Sequence, residues 1–122
     1  MLIEGLYKVT AYEKTAEGIL AMVHLNKDHA IFKGHFPGNP VMPGVCMIQI
    51  IKELTEEATG KNLFLAVSSN IKFMAIINPD KNPDLKISID ISEDNGEVRV
   101  KNTTTFDETV ALKLNAIFKI ID

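Results

Sequence analysis

The chain has 122 residues, 46% of them apolar and 24% charged, the length of one domain with enough apolar side chains for a packed core. Its 13 basic and 16 acidic residues leave a net charge of −3, which argues against nucleic acid or an anionic membrane surface as a partner. No stretch approaches the roughly 18 apolar residues of a membrane span. The opening MLIEGLYKVT carries Glu4 and does not read as a signal peptide, and the single Cys46 leaves no internal disulfide, so a cytoplasmic setting is expected.

In chain order, Leu6 to Glu13 is β-prone, Lys14 to Gly18 is polar, and Ile19 to Leu25 is apolar again, which predicts a hairpin. From Asp28 to Gly44 the pattern breaks. Gly34, Pro37, Gly38, Pro40, Pro43 and Gly44 leave no room for a regular element. This loop also carries Ile31, Phe32, Phe36, Val41 and Met42, so it is expected to pack onto the body, as functional loops do. Pro43 suits the first turn of a helix and Gly60 its end. The helix between them is apolar almost all round in its first half and charged at Lys52, Glu53, Glu56 and Glu57 in its second, which predicts a buried N-terminal half and a solvated C-terminal half.

Leu63 to Ile77 is a long β-rich run with a bend expected near Ser68 to Asn70, and Asn78 to Pro83 reads as a loop. Leu85, Ile87, Ile89 and Ile91 then alternate with Lys86, Ser88, Asp90 and Ser92, Asn95-Gly96 is a hairpin turn, and Val98 and Val100 continue the alternation. After a turn near Asp107-Glu108, Val110, Leu112, Leu114, Ala116, Phe118 and Ile120 alternate to the end. The fold class is therefore α+β: an antiparallel sheet of about six strands curled around one long central helix, as a single domain spanning residues 1–122. Its unprotected edges predict dimerisation.

His35 is the foremost candidate for chemistry. It lies in a stiff Gly-Pro-rich run, and a neutral imidazole takes up and returns a proton near working pH. The helix start at Pro43, Gly44 and Val45 presents backbone N–H groups, and Gly44 has no side chain to block a developing oxyanion. Gln49 is a polar amide among apolar neighbours and needs hydrogen-bond partners. His24 and His29 read as structural or solvated, and Glu53, Glu56 and Glu57 as a solvated face, although Glu53 lies one turn beyond Gln49. Burial argues against Cys46 as a nucleophile. No spacing among these residues makes a metal site.

The segment DHAIFKGHFPGNPVMPG, residues 28 to 44, closely resembles the active-site segment of the FabZ-type 3-hydroxyacyl-[acyl-carrier-protein] dehydratases, with FabA-type enzymes more distant. Ser69-Asn70-Ile71-Lys72-Phe73 resembles that family's strand after the helix. The resemblance implies a hot-dog fold, at least dimeric, with active sites between subunits. It implies that His35 abstracts the α-proton of a 3-hydroxyacyl thioester and that the Gly44 amide holds the thioester carbonyl. Phe36, Pro43 and Val45 are then expected to line the substrate site. A carboxylate from the partner subunit's helix would assist loss of the hydroxyl as water, giving a trans-2-enoyl thioester with no cofactor. The acyl carrier protein is the implied partner, with Lys33, Lys72 and Lys81 as candidate docking lysines.

One position departs from the pattern. The family's acidic residue falls on Gln49, and an amide cannot hand over a proton as a carboxyl does. Three readings follow: a dehydratase in which Gln49 orients water or Glu53 supplies the proton, a subunit lending His35 to a heterodimer with a carboxylate-bearing paralogue, and a hot-dog thioesterase. The retained HFPGNPVMPG run favours the first two.

Overall fold

In a computed structural model of the chain, residues 5–32 and 42–121 are described. The described elements are β1 (Tyr7–Lys14), β2 (Gly18–Leu25), a 3-10 turn at Ala30–Phe32, α1 (Gly44–Thr59), β3 (Asn62–Phe73), β4 (Asp84–Asp94), β5 (Glu97–Phe106) and β6 (Thr109–Ile121). The strands follow from the period-two patterning. Leu85, Ile87 and Ile89 of β4 are fully buried while Lys86 and Asp90 between and beyond them are exposed. In β6, Leu112, Leu114, Ala116 and Phe118 face inward on the same alternation. Asn95 and Gly96 take φ of 52° and 78°, the doubly left-handed geometry of a tight hairpin turn, and Asp107 at φ 54° turns β5 into β6.

All strand pairings are antiparallel, in the order β1-β2-β4-β5-β6-β3. The chain crosses after β2, lays α1 against β2, β3 and β4, and adds β3 at the far edge beside β6. A single sheet so connected curls into a half-barrel about the helix, the expected α+β architecture. The expected bend in β3 is two register shifts, between Leu65 and Val67 and between Ser68 and Asn70. Bulges of this kind bend an edge strand. Beyond Phe73 the chain leaves the ladder, though Met74 and Ala75 both still donate their N–H to Ala111 O.

The helix departs from the expected division into a buried and a solvated half. Cys46, Met47, Ile50, Ile51, Leu54 and Thr55 are buried in one continuous stripe, whereas Val45 in the first turn is 74% exposed. Each large apolar side chain in such a stripe contributes about 1.5–3 kcal/mol on burial, so tertiary packing rather than intrinsic propensity holds α1 in place. At its C-terminus Gly60, with φ 69°, caps the helix through its N–H to Glu56 O. The Glu56 carboxylate accepts the N–H of Leu63 at 2.8 Å, tying the helix to β3, so Glu56 does not belong to a solvated face.

The inward alternation of β5 continues through two polar residues. Asn102 and Thr104 are 1% and 0% exposed. Asn102 donates to Ser88 O at 2.9 Å and accepts from the Thr104 hydroxyl at 3.1 Å, so burial costs neither group its partner.

Gly18 begins β2 opposite Asp90, and a Cβ there would run into the Ile89 carbonyl oxygen. Gly18→Ala is expected to cost about 1–3 kcal/mol through backbone displacement, read as a lowered urea midpoint. An unchanged midpoint would show that β2 and β4 do not approach this closely.

Candidate functional site

The start of α1 is held from both directions. Phe32 and Met42, on either side of residues 33–41, are buried, and the Met42 N–H donates to Ile77 O at 2.8 Å. Pro43 is the residue before the first helical turn, at φ −64° and ψ 141°, one position earlier than its composition predicts. The N–H groups of Cys46 and Met47 both point to Pro43 O, at 3.1 and 3.3 Å, so the helical ladder begins there. The Gly44 and Val45 amides precede that ladder and face along the axis at the positive end of the helix. His35 and Phe36 lie outside the described residues.

Over this helix start stands Phe73, from the end of β3. A Cβ built on Gly44 would lie 2.6 Å from Phe73 Cζ, so glycine is what lets the ring sit there. Phe73 is 59% exposed, and Val45, next to Gly44 in the chain, is more so. Met74 and Ile76, just beyond Phe73, are exposed as well. Val45 therefore points outward from this chain, and any role as a wall requires a second surface opposite it. Sequence reasoning placed Phe73 only in a family-like strand. Its position over Gly44 depends on the crossover that brings β3 beside α1.

One turn and more along the helix, a second cluster forms. Gln49 Nε2 donates to Glu53 Oε2 at 2.9 Å, and the Tyr7 hydroxyl, arriving from β1, donates to Glu53 Oε1 at 2.8 Å. Glu53 is therefore a bridging acceptor and not part of a solvated face. Burial, followed by the hydrogen bond to Glu53 and the charges of Glu53 and Glu57, pushes the Tyr7 phenol well above the ordinary tyrosine range. Tyr12 is raised too, first by burial and then by Glu57. Both rings line an open cleft of about 670 Å³ between β1 and the C-terminal half of α1, together with Glu53, Glu57 and Lys61.

The remaining candidates have structural surroundings. His24 Nδ1 lies 2.8 Å from Asp84 Oδ1 across an exposed part of the β2–β4 pair. His29 Nδ1 accepts the N–H of Ile31 at 3.1 Å, closing the turn before Phe32. Burial pushes the Cys46 thiol up, against a nucleophilic role. Lys72 and Lys81 are exposed, and Lys33 is outside the described residues. Among the described residues no helix is long and apolar enough to cross a membrane.

A six-stranded antiparallel half-barrel wrapped around one helix is a hot-dog domain. Solved structures share the architecture. The dehydratase heterocomplex ApeI:P from Xenorhabdus doucetiae superposes with a TM-score of 0.79 at 19% identity, covering 92% of this chain and 96% of that one. A hypothetical thioesterase from Streptococcus pneumoniae, solved with coenzyme A, gives 0.65 at 14% identity over 94% of this chain and 85% of its own.

The chain belongs to the ApeI-like family, that of the ApeI dehydratase, whose family model matches residues 11–112. Among curated proteins, a FabZ 3-hydroxyacyl-[acyl-carrier-protein] dehydratase from Lactobacillus helveticus is 28% identical over 99% of this chain and 89% of its own length. Another from Oenococcus oeni is 30% identical over 66% of this chain and 63% of its own. The resemblance carried by residues 28 to 44 thus extends over most of the chain, and the family is one of lyases.

Because folding raises the Tyr7 pKa, its contribution to stability is complete below the ordinary phenol range near pH 10 and is lost as pH climbs beyond it. In a Tyr12→Phe background, spectrophotometric titration of Tyr7 should show ionisation well above that range, and adding Glu53→Gln should lower it only in part, since burial persists. Titration at the ordinary value in both proteins would contradict the Tyr7–Glu53 bond.

Proposed function

We propose that this chain acts on a 3-hydroxyacyl thioester carried by acyl carrier protein, removing water to leave a trans-2-enoyl thioester. The observation that carries this reading is the start of α1. There the Gly44 and Val45 amides precede the helical ladder, directly after the segment that holds His35. Neutral His35 takes the α-proton, and the developing enolate oxygen is received by the Gly44 N–H, where a donor is worth most if fixed in advance. The α C–H pair becomes the new double bond, the β C–O bond breaks with its pair on oxygen, and a proton completes the water. Phe36, Pro43 and Val45 border the acyl thioester, and none of these steps calls on a cofactor.

The last proton is the point at which Gln49 matters. Its amide orients a hydroxyl or a water but does not protonate a leaving group. Glu53 does not replace it readily, because each of its oxygens accepts a hydrogen bond, from Tyr7 and from Gln49. The reading that fits these residues is a subunit of a two-chain dehydratase. Its partner is a hot-dog paralogue with Asp or Glu in the place of Gln49, reaching across to His35. Support comes from the likeness to a chain of the ApeI:P dehydratase heterocomplex and from the exposed Val45, Phe73, Met74 and Ile76 around the helix start. In such a pair the site holding this chain's His35 is complete, and the site facing Gln49 lacks its acid. A homodimer would lack the acid in both sites and turn over slowly.

The test follows loss of enoyl absorbance on hydration of an enoyl-acyl carrier protein. The chain alone should be slow, Gln49→Glu should raise its rate by about 10²-fold or more, and His35→Ala should abolish turnover in both. A rate indifferent to His35→Ala overturns the assignment, and release of free thiol from an acyl thioester would move the reading to thioester hydrolysis. Copurification with a carboxylate-bearing hot-dog chain, with a matching gain in rate, is the expected result for the two-chain form.

A further inference from the structure

We propose that the outer face of the sheet, across β3, β6 and β5, binds a phosphate group. The register sets Lys72 of β3 directly opposite Lys113 of β6, and Lys113 opposite Thr103 of β5. The neighbouring rung places Asn70, Asn115 and Lys101 side by side. Alternation fixes the direction of these side chains: Leu112, Leu114, Asn102 and Thr104 are buried, while Lys72, Lys101 and Lys113 between and beside them are exposed on the face turned away from α1. Together the two rungs border a recess of about 200 Å³.

The make-up of these rungs runs against what a sheet surface favours. Asparagine is poor in strands, and like charges directly opposite one another destabilise the pair. Opposed Cβ atoms lie roughly 5 Å apart, and diagonal ones, as for Lys113 and Lys101, roughly 7–8 Å, so three ammonium groups reach one small space. Farther along the same strands charges are matched instead: Lys119 stands opposite Glu97, and Arg99 lies 3.8 Å from the Glu97 carboxylate. Asp90 stands opposite Lys101 on β4, yet among the described residues none of the three lysines is in an ion pair.

Three cations beside amide and hydroxyl donors suit a compact group with several acceptor oxygens. A phosphate monoester carries about −1.5 to −2 charges near neutral pH, and lysine meets it as a point charge. The recess is smaller than the roughly 300–1,000 Å³ of a site that encloses a whole small molecule, so the phosphate is the part recognised and the rest of the ligand lies outside. The unmatched charge is confined to two rungs, which favours such a group over the broad face of an acidic protein. A free phosphate ester and the phosphate that joins a carrier protein to its prosthetic arm share this chemistry. Binding here does not depend on the dehydratase reading, which turnover tests separately.

The experiment is a titration of the intact chain with inorganic phosphate, followed by 1H–15N NMR at an ionic strength held constant with sodium chloride. The amides of Lys72, Lys101, Thr103 and Lys113 should move along one saturable curve. Lys113→Gln should weaken binding about fivefold, the upper value of an exposed ion pair. The triple variant Lys72→Gln, Lys101→Gln, Lys113→Gln should lose it without a lowered urea midpoint, because the charges removed repel one another. Equal shifts with chloride alone, or undiminished binding in Lys113→Gln and in the triple variant, overturn the proposal. Two further titrations identify the bearer. Holo-acyl carrier protein that moves the same amides and is displaced by inorganic phosphate, with the apo form inert, assigns the phosphate to the arm. Both carrier forms inert while inorganic phosphate binds assigns it to a free ester. Equal shifts with apo and holo carrier overturn the phosphate site in favour of an acidic protein surface.

Discussion

A single curled sheet has one concave apolar face, and here one helix must fill it. Met47, Ile50, Ile51 and Leu54 of α1 enter the space bounded by Leu85, Ile87 and Ile89 of β4 and by Leu112, Leu114 and Phe118 of β6. The candidate site residues carried by α1 inherit their positions from that packing. The stripe sets the rotation of the helix about its own axis, and the rotation decides that Val45 and Gln49 fall on the side away from the core. The burial of Met42 and its bond to Ile77 set where the helix begins. A helix start fixed in this way is a rigid donor of backbone N–H groups, which reaction chemistry at a carbonyl requires.

Polar groups are accommodated at the margins of this core by partners, not by exposure. Asn102 and Thr104 satisfy one another and Ser88 O inside the barrel. Thr55, fully buried in the helical stripe, returns its hydroxyl to Ile51 O at 2.7 Å. Glu56 reaches the backbone of Leu63, and Glu53 gathers Tyr7 and Gln49. The acidic second half of the helix is thus a set of ties to β3 and β1, the two edge strands. This links the local helix surface to the global curl of the sheet, since both edges must come round for the ties to close.

The substitution at position 49 has its meaning within this frame. An amide in place of a carboxyl preserves volume and the capacity to hold an oxygen atom, and gives up proton donation. In the two-chain reading proposed above, such a site keeps an orienting group and a second chain supplies the proton, meeting this one at the exposed apolar residues beside the helix start. Phe73 stands at the join, against Gly44 on one side and open on the other.

Much of this was legible before any coordinates. Period-two alternation located β4, β5 and β6, Asn95-Gly96 marked their hairpin, and the Pro43 to Gly60 interval bounded the helix, because these signals depend only on neighbours in sequence. The unusual segment from Asp28 to Gly44 pointed to the family by itself, and the departure at Gln49 was visible by counting along the helix. What tertiary structure decided were contacts between residues distant in the chain. The stripe on α1 superseded a division into buried and solvated halves, since an apolar first half does not reveal which side meets the sheet. Asn102 and Thr104 turned out to be core residues, because polarity masks an inward position until its hydrogen-bond partners are seen. Tyr7 reaching Glu53, and Phe73 lying over Gly44, depend on the crossover that sends β1 and β3 to opposite edges of one sheet. Local periodicity carries no information about that long-range closure, which is set by how a twisted sheet wraps α1.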